Sequence, residues 1–329
     1  MSTGRVSPGT GAQLCVVISF YDRRSSDKLE ALLSSMSRFD AGIPFDCVVV
    51  VNRTTDQDLT LPPCPFPLAI AYRENVGMNI GAWEHGWRRY TESQCYLFLQ
   101  DECLIVRENW GLAFLERCSD PSVGLVGETF NPAWEHSWDR LRALHHSSNL
   151  PDHFVDGRPA GRIEAYLDAM KRWRVDPGLS GRHLRSVVWA ASRDTLTLID
   201  GFPIGADYGE CIAAEIAVSR KCEANKRRLV QVRDAHFHFV HHREWTQEFP
   251  GGAFHHSRKS MPDARWETPE RRKCDDEAAR VDDILRLLPS TSDAFDHALV
   301  VASLACKLAD REAEIAALKA QLNRQGTNR

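Results

Sequence analysis

One stretch constrains this chain more than any other: Cys95 to Trp110, CYLFLQDECLIVRENW. It opens on Cys95-Tyr96-Leu97-Phe98-Leu99, a short, aromatic-rich apolar run bounded by polar residues, which predicts a buried strand. The run stops at Gln100-Asp101-Glu102, and apolar residues resume at Cys103-Leu104-Ile105-Val106. Two carboxylates at the end of a buried strand are costly to desolvate. A hard divalent cation, which prefers oxygen ligands, would offset that cost. Two readings follow: Asp101 and Glu102 hold a metal ion against the phosphates of a bound nucleotide, or they form a polar turn between two core strands.

The flanking sequence fixes the fold class. Leu14 to Phe20 and Phe45 to Val51 are nearly continuous apolar runs, as in strands covered on both faces of a parallel sheet. A third strand is expected at Leu68 to Tyr72, and the proline-rich residues 56–67 before it form a loop. Between the first two strands, Leu29, Leu32, Leu33 and Met36 recur at helical spacing. Between the third strand and Cys95, Gly77 and Gly81 open a segment in which Trp83, Trp87 and Tyr90 continue at helical spacing. Glycines at the start of a helix allow backbone to approach a ligand closely. Strand and helix alternate throughout, which argues for an α/β sheet with a substantial parallel part.

Composition excludes several classes. The chain has 329 residues, 43% of them hydrophobic, and a formal net charge of -4, so neither nucleic acid nor an anionic membrane is implied as a partner. No apolar run approaches the ~18 residues of a membrane span, and residues 1–13 lack the apolar core of a secretory signal. Ten cysteines occur without a C-x-x-C pair. Cys15, Cys47, Cys95 and Cys211 stand in apolar surroundings, as buried free thiols do. The expectation is a cytoplasmic protein in a reducing compartment, with peripheral membrane attachment left open.

Further along, Val123 to Gly127 predicts a strand. It leads into Glu128-Thr129 and a segment rich in Trp and His (Trp134, His136, Trp138, His145, His146), whose rings suit either sugar faces or a core. Leu167, Met170 and Trp173 suggest a helix. Val187 to Ala191 predicts a strand and Thr195 to Ile199 a helix end closed by Gly201. Asp207 to Arg220 predicts a helix carrying Glu210 and Glu215. His236 and His238 alternate with Phe237 and Phe239, the pattern of a strand with both imidazoles on one side. His241 and His242 follow.

The order of these pieces resembles the nucleotide-binding half of GT-A glycosyltransferases, especially the broad family-two type. The matching residues are Val16 to Arg23, the segment Glu74-Asn75-Val76-Gly77-Met78-Asn79-Ile80-Gly81, and Leu99-Gln100-Asp101-Glu102, where QDE stands in place of a true DxD. Gly201-Phe202-Pro203 followed by Glu215 matches the family's acidic helix. The resemblance covers roughly residues 14–245. It implies a GT-A-like, Rossmann-type, mixed and mostly parallel sheet flanked by helices, with a C-terminal helical extension. It implies donor contacts from Asp22, Asn75, Gly77, Asn79 and Asp101, and Mn2+ or Mg2+ on Asp101 and Glu102. A late-chain histidine, one of His236, His238, His241 and His242, would complete the metal site, with His236 and His238 the first candidates. Glu215 would be the general base, with Glu210 and Asp207 as rivals. The implied activity is inverting transfer of a sugar from a nucleotide-sugar to a hydroxyl of a glycan, a lipid-linked glycan, a protein or a small molecule.

The expected domains are a flexible tail (1–13), the GT-A-like body (14–250), a loop and helix (251–292) and a C-terminal helix (293–329). In that last helix Val301, Leu308, Ile315 and Leu322 recur every seven residues with Leu304 and Leu318 between them, a heptad seam broken by Arg311. It predicts a short coiled coil and self-association through residues 299–322. Two other functions remain open. One is a GT-A-like nucleotidyltransferase, against which Tyr21-Asp22-Arg23-Arg24 lacks the glycine-rich loop. The other is a nucleotide- or sugar-binding assembly protein without catalysis. A hydrolase built on the histidines is disfavoured, since no HExxH pattern is present.

Overall fold

A computed structural model describes residues 12–145, 149–155 and 158–246. All of these except 143–145 and Asn149 belong to one compact unit. The expectations for residues 1–11 and for 247–329, including the heptad seam, lie outside the described residues.

The described strands are β1 (Leu14–Tyr21), β2 (Phe45–Arg53), β3 (Leu68–Glu74), β4 (Cys95–Gln100), β5 (Cys103–Ile105), β6 (Val123–Gly127), β7 (Asn149–Val155), β8 (Arg158–Gly161), β9 (Val188–Ser192), β10 (Arg228–Gln231) and β11 (Val240–His242); β1 to β6 and β9 fall where the apolar runs place them. Seven of them make one sheet in the order β10-β6-β9-β4-β1-β2-β3. β1 runs parallel to β2 and β4, β2 to β3, and β6 to β10. Only β9 runs antiparallel, to both β4 and β6. The chain is thus an α/β protein with a mixed, mostly parallel sheet.

Why the runs are apolar throughout is visible in β1. Leu14, Val16, Ile18 and Phe20 face one core, shared with Leu29, Leu32 and Met36 of α1 (Asp27–Arg38) and Trp110 and Phe114 of α3 (Trp110–Cys118). Cys15 and Val17 face the other, shared with Ile80, Trp83 and Trp87 of α2 (Met78–Arg89) and with Ala214 and Val218 of α7 (Tyr208–Ala224). Each fully buried aliphatic side chain contributes about 1.5–3 kcal/mol, more than the ~1 kcal/mol spread of β-propensity. Two-sided burial therefore sets these strands. α2 lies so close to β1 that a Cβ at Gly86 would sit 2.4 Å from Val17 Cγ1. A third core, around Trp134, Trp138, Tyr166 and Met170, joins α4 (Trp138–His145) and α5 (Arg162–Arg172) to α7. Its tryptophans are 7–8% exposed, so they fill a core and offer no ring to a sugar. Between β9 and α7, α6 (Arg193–Leu198) ends at Gly201, whose φ is +57°.

Parallel strands bring their carboxyl ends to one edge, so Asp22, Asn52 and Asp101 follow or end β1, β2 and β4 on the same side. β9 runs the other way, so its approach, Arg185-Ser186, enters at that edge too. A small second sheet pairs β11 with β5 and sets His242 opposite Cys103, next to Glu102. The expected strand over residues 236–239 is absent: turns and bends occupy 232–239, Phe237 has φ +49°, and pairing begins only at Val240. The cause is Glu128 at the end of β6, whose carboxylate accepts the backbone N–H groups of His238, Phe239 and Val240 at 2.7, 3.0 and 2.8 Å and folds the segment around itself.

Gly77, the N-cap of α2, has φ +75°. A Cβ there would lie 2.7 Å from Ile204 Cγ2. Gly77→Ala is expected to destabilise the protein by about 1–2 kcal/mol for the left-handed backbone alone, read as a lower urea midpoint at unchanged slope.

Candidate functional site

Asp101 is a deeply buried carboxylate at the carboxyl end of β4. It is 4% exposed, and its Oδ2 is buried without a hydrogen-bond partner among the described residues. Its Oδ1 lies 4.0 Å from Arg24. Burial pushes its pKa up to about 6, against the pull of Arg24 and Lys28 and with help from the charge of Glu102. Glu102 behaves oppositely. Burial would raise it, but a hydrogen-bonded ion pair with Lys28, Arg24 at 3.7 Å and His242 outweigh burial and hold it below the usual carboxylate range. Neighbouring acids are thus shifted in opposite directions, because both cations, on the β1–α1 turn and the first turn of α1, favour Glu102.

His242 is 1% exposed, and burial depresses it to about 4, so the ring is neutral. Its Nδ1 accepts the Glu244 N–H at 3.1 Å. The ring proton therefore belongs on Nε2, which faces Gln100 Oε1 at 3.3 Å and Glu102 Oε2 at 3.7 Å. His242 is a donor toward this cluster. Gln100 passes the contact on: its Nε2 donates to the Ser186 carbonyl at 2.8 Å.

Ser186 joins four elements. Its carbonyl also accepts from Asn79 Nδ2 at 2.9 Å, in the first turn of α2. Its N–H donates to Glu215 Oε1, on α7, at 2.5 Å. Glu215 is thereby fixed at the approach to β9, linked to the acid pair through Ser186 and Gln100, and its Oε2 has no hydrogen-bond partner among the described residues. His183 stands behind it, fully buried, with Nε2 3.7 Å from Glu215 Oε1. Burial keeps His183 neutral; Nδ1 faces the Gly181 carbonyl at 2.6 Å, which leaves the Nε2 lone pair toward Asn131 and Glu215.

The other expected site residues have different surroundings. Asp22 clamps the end of β2: its carboxylate accepts from Thr54 N, Thr54 Oγ1, Thr55 N and Thr55 Oγ1 at 2.7–3.0 Å. Burial opposes ionisation there, but these four bonds prevail and lower its pKa. Asn75 is exposed at the β3–α2 turn. Asp207 is the N-cap of α7, accepting from Glu210 N at 2.8 Å. Glu210 accepts from Ala206 N and pairs with Arg172 at 2.6 Å. Asp207 thus caps the helix while Glu210 closes back on the residue before the cap, so both acids have structural roles at this helix start.

Of the four histidines expected as ligand candidates, His242 approaches Glu102, while His236 and His238 have other partners. His236 Nδ1 meets Thr129 Oγ1 at 2.9 Å and Gln231 at 3.3 Å. His238 packs edge-on against Phe239. Neither joins Asp101 and Glu102, and no three His, Cys, Asp or Glu side chains among the described residues are grouped to hold an ion. The turn imposed by Glu128 separates what strand alternation would have aligned.

Lys28, Ser186, His183 and Glu128 were not singled out by sequence reasoning. Lys28 lies four residues after Arg24, a spacing visible in the sequence. Ser186 contributes through its backbone, which leaves no residue-type signal.

Fold and site together define an α/β protein whose carboxyl edge carries a buried acid pair, two cations and a neutral imidazole. No protein-family model and no curated protein matches the chain. Among solved structures, it is similar to a mannosyltransferase from Pyrobaculum calidifontis in complex with GDP-Man and Mn2+. The match has 16% identity and a TM-score of 0.45 and covers 97% of this chain and 81% of that one.

Proposed function

We propose that this chain is a GT-A-type glycosyltransferase that transfers a sugar from a nucleotide-sugar donor to a hydroxyl acceptor with inversion. The observation that carries the reading is Asp101: a buried carboxylate with one oxygen unpartnered, at the carboxyl end of β4, beside Arg24 and Lys28. Ligands of open α/β sheets bind outside the carboxyl ends of the strands. Arg24 and Lys28 supply positive charge for a diphosphate, which would release the two carboxylates from their ion pairs.

A divalent ion fits this site on one condition. The chain offers two carboxylates and an imidazole whose ring nitrogens already have partners, which is short of a closed cage. Mg2+-type sites are commonly built from one or two carboxylates plus substrate phosphates. Asp101 Oδ2 and Glu102 would hold the ion once a donor diphosphate is present, and it would act as Lewis acid on the departing nucleoside diphosphate. Glu215, positioned by Ser186, takes the proton of the attacking hydroxyl. The tight pairing of Glu102 with Lys28 and Arg24 favours one competing reading, a nucleotide-binding protein that works without metal or catalysis.

Calorimetric titration of UDP and GDP, with and without Mn2+, on the wild type and Asp101→Ala separates these readings. The expected result is nucleoside diphosphate binding that tightens with Mn2+ and loses that gain in Asp101→Ala. Binding indifferent to Mn2+ and to Asp101 would remove the metal mechanism. A folded protein that binds neither nucleotide would sink the glycosyltransferase reading.

A further inference from the structure

The outward face of α2 lines a cavity of about 480 Å³ with Arg73, Glu84, His85, Arg88, Arg89 and Ile204 around it. The charge here is unbalanced. Glu84, its carboxylate, is already taken by Arg88, by the Trp87 indole N–H at 2.6 Å and by the Phe202 N–H at 2.8 Å. Arg88 has a second carboxylate, Asp200, at 3.1 Å. Arg73 is half-buried, yet its guanidinium hydrogen-bonds only neutral oxygens, Asn52 Oδ1 at 2.6 Å and the Val76 carbonyl at 2.7 Å. Glu74 acts on it only through its charge, and burial still lowers the Arg73 pKa. Arg89 has neither an ion pair nor a hydrogen bond among the described residues. Between them stands His85, whose Nε2 is buried with no hydrogen-bond partner among the described residues. Burial, then the charges of Arg73 and Arg89, keep that ring neutral.

A half-buried guanidinium without a carboxylate is a cost that an anion relieves. Gly81 lets Arg73 lie against the helix: a Cβ there would meet the Val76 carbonyl at 2.1 Å and the Arg73 guanidinium at 3.0 Å. None of these side chains contacts the Asp101 cluster or Glu215.

We propose that this cavity is a second binding site, for a phosphate monoester or diester, with Arg89 and Arg73 pairing the phosphate oxygens and His85 donating from Nε2. Such a group is carried by a sugar phosphate in solution or by a lipid headgroup at a membrane surface. The site stands independently of the glycosyltransferase reading.

The test is calorimetry of the full chain with inorganic phosphate and glucose 6-phosphate, and flotation with phosphatidylcholine vesicles with and without phosphatidic acid. Arg89→Glu, His85→Gln and Asp101→Ala are compared with the wild type. Arg89 is exposed and unbonded, so its replacement leaves the fold intact. The expected result is phosphate binding weakened by roughly tenfold or more in Arg89→Glu, as loss of charge-assisted bonds predicts, weakened in His85→Gln, and unchanged in Asp101→Ala. Binding of glucose 6-phosphate assigns the soluble source. Capture only by vesicles containing phosphatidic acid assigns the lipid. A wild type that binds neither, or an Arg89→Glu variant that binds as the wild type does, overturns the proposal.

Discussion

Replacing Glu128 with Ala is expected to cost about 3 kcal/mol or more of folding stability. Three backbone N–H groups converge on this one carboxylate, and each buried donor left unsatisfied costs about 1–3 kcal/mol. Urea unfolding of wild type and variant, compared at equal slope, measures the loss. A pH series sharpens the test. Glu128 is 1% exposed, and burial, only partly offset by the three N–H bonds, pushes its pKa up from 4.5 to about 7. A folded-state pKa raised above the unfolded one means that the stabilising contribution is fully present below about 4.5. It is lost as pH rises through about 7. Glu128→Gln cannot titrate. The stability gap between wild type and Glu128→Gln is therefore expected to be largest near pH 5 and smallest near pH 8, a change of up to about 3 kcal/mol. A gap independent of pH would mean that Glu128 stays ionised and that its three bonds outweigh burial.

Glu128 also marks the boundary of what the sequence discloses. The sheet was legible because its signals are local and repeated. Two-sided burial demands unbroken apolar runs, and β1, β2 and β4 supply them. The helices α1 and α2 show their buried faces at three- and four-residue spacing. Residues 236–239 failed because period-two alternation is also what a turn with two buried phenylalanines produces. The deciding contact came from a carboxylate more than a hundred residues earlier, and no local pattern reports such a partner. Helix α3 and the β7–β8 pair were missed for a different reason: the segment 107–175 mixes apolar and charged residues without a sustained period.

The candidate site was legible in part. Asp101 and Glu102 stood out as carboxylates interrupting an apolar run, and the structure does bury Asp101 there. Their opposite ionisation tendencies were not readable, since these depend on which acid Lys28 reaches. Asp207 and Glu210 look like catalytic rivals only while their backbone partners are unknown; a capping pair and a proton-transfer pair have the same composition. Glu215 carries no distinguishing neighbour in sequence, and its position depends on an N–H from Ser186, twenty-nine residues away.

That position yields the largest effect expected on activity. Glu215→Gln should lower transfer by about 10²–10⁴-fold, the usual worth of a positioned general base, while nucleoside diphosphate affinity stays at the wild-type level. Gln keeps the oxygen that accepts from Ser186, so the α7–β9 contact survives and the loss reads out proton acceptance, not folding. On that proposal His183 would support the same chemistry from behind, its neutral Nε2 presenting a lone pair to the Glu215 carboxyl 3.7 Å away. Release of nucleoside diphosphate from a panel of nucleotide-sugars, with water as the acceptor common to all, gives the rate, and calorimetry on the same samples gives affinity. A fall in rate with affinity kept is the signature of a group acting in the transition state alone. If both fall together, Glu215 is a structural anchor for Ser186. If neither falls, the base lies outside the described edge of the sheet, because Asp207 and Glu210 are held as helix caps.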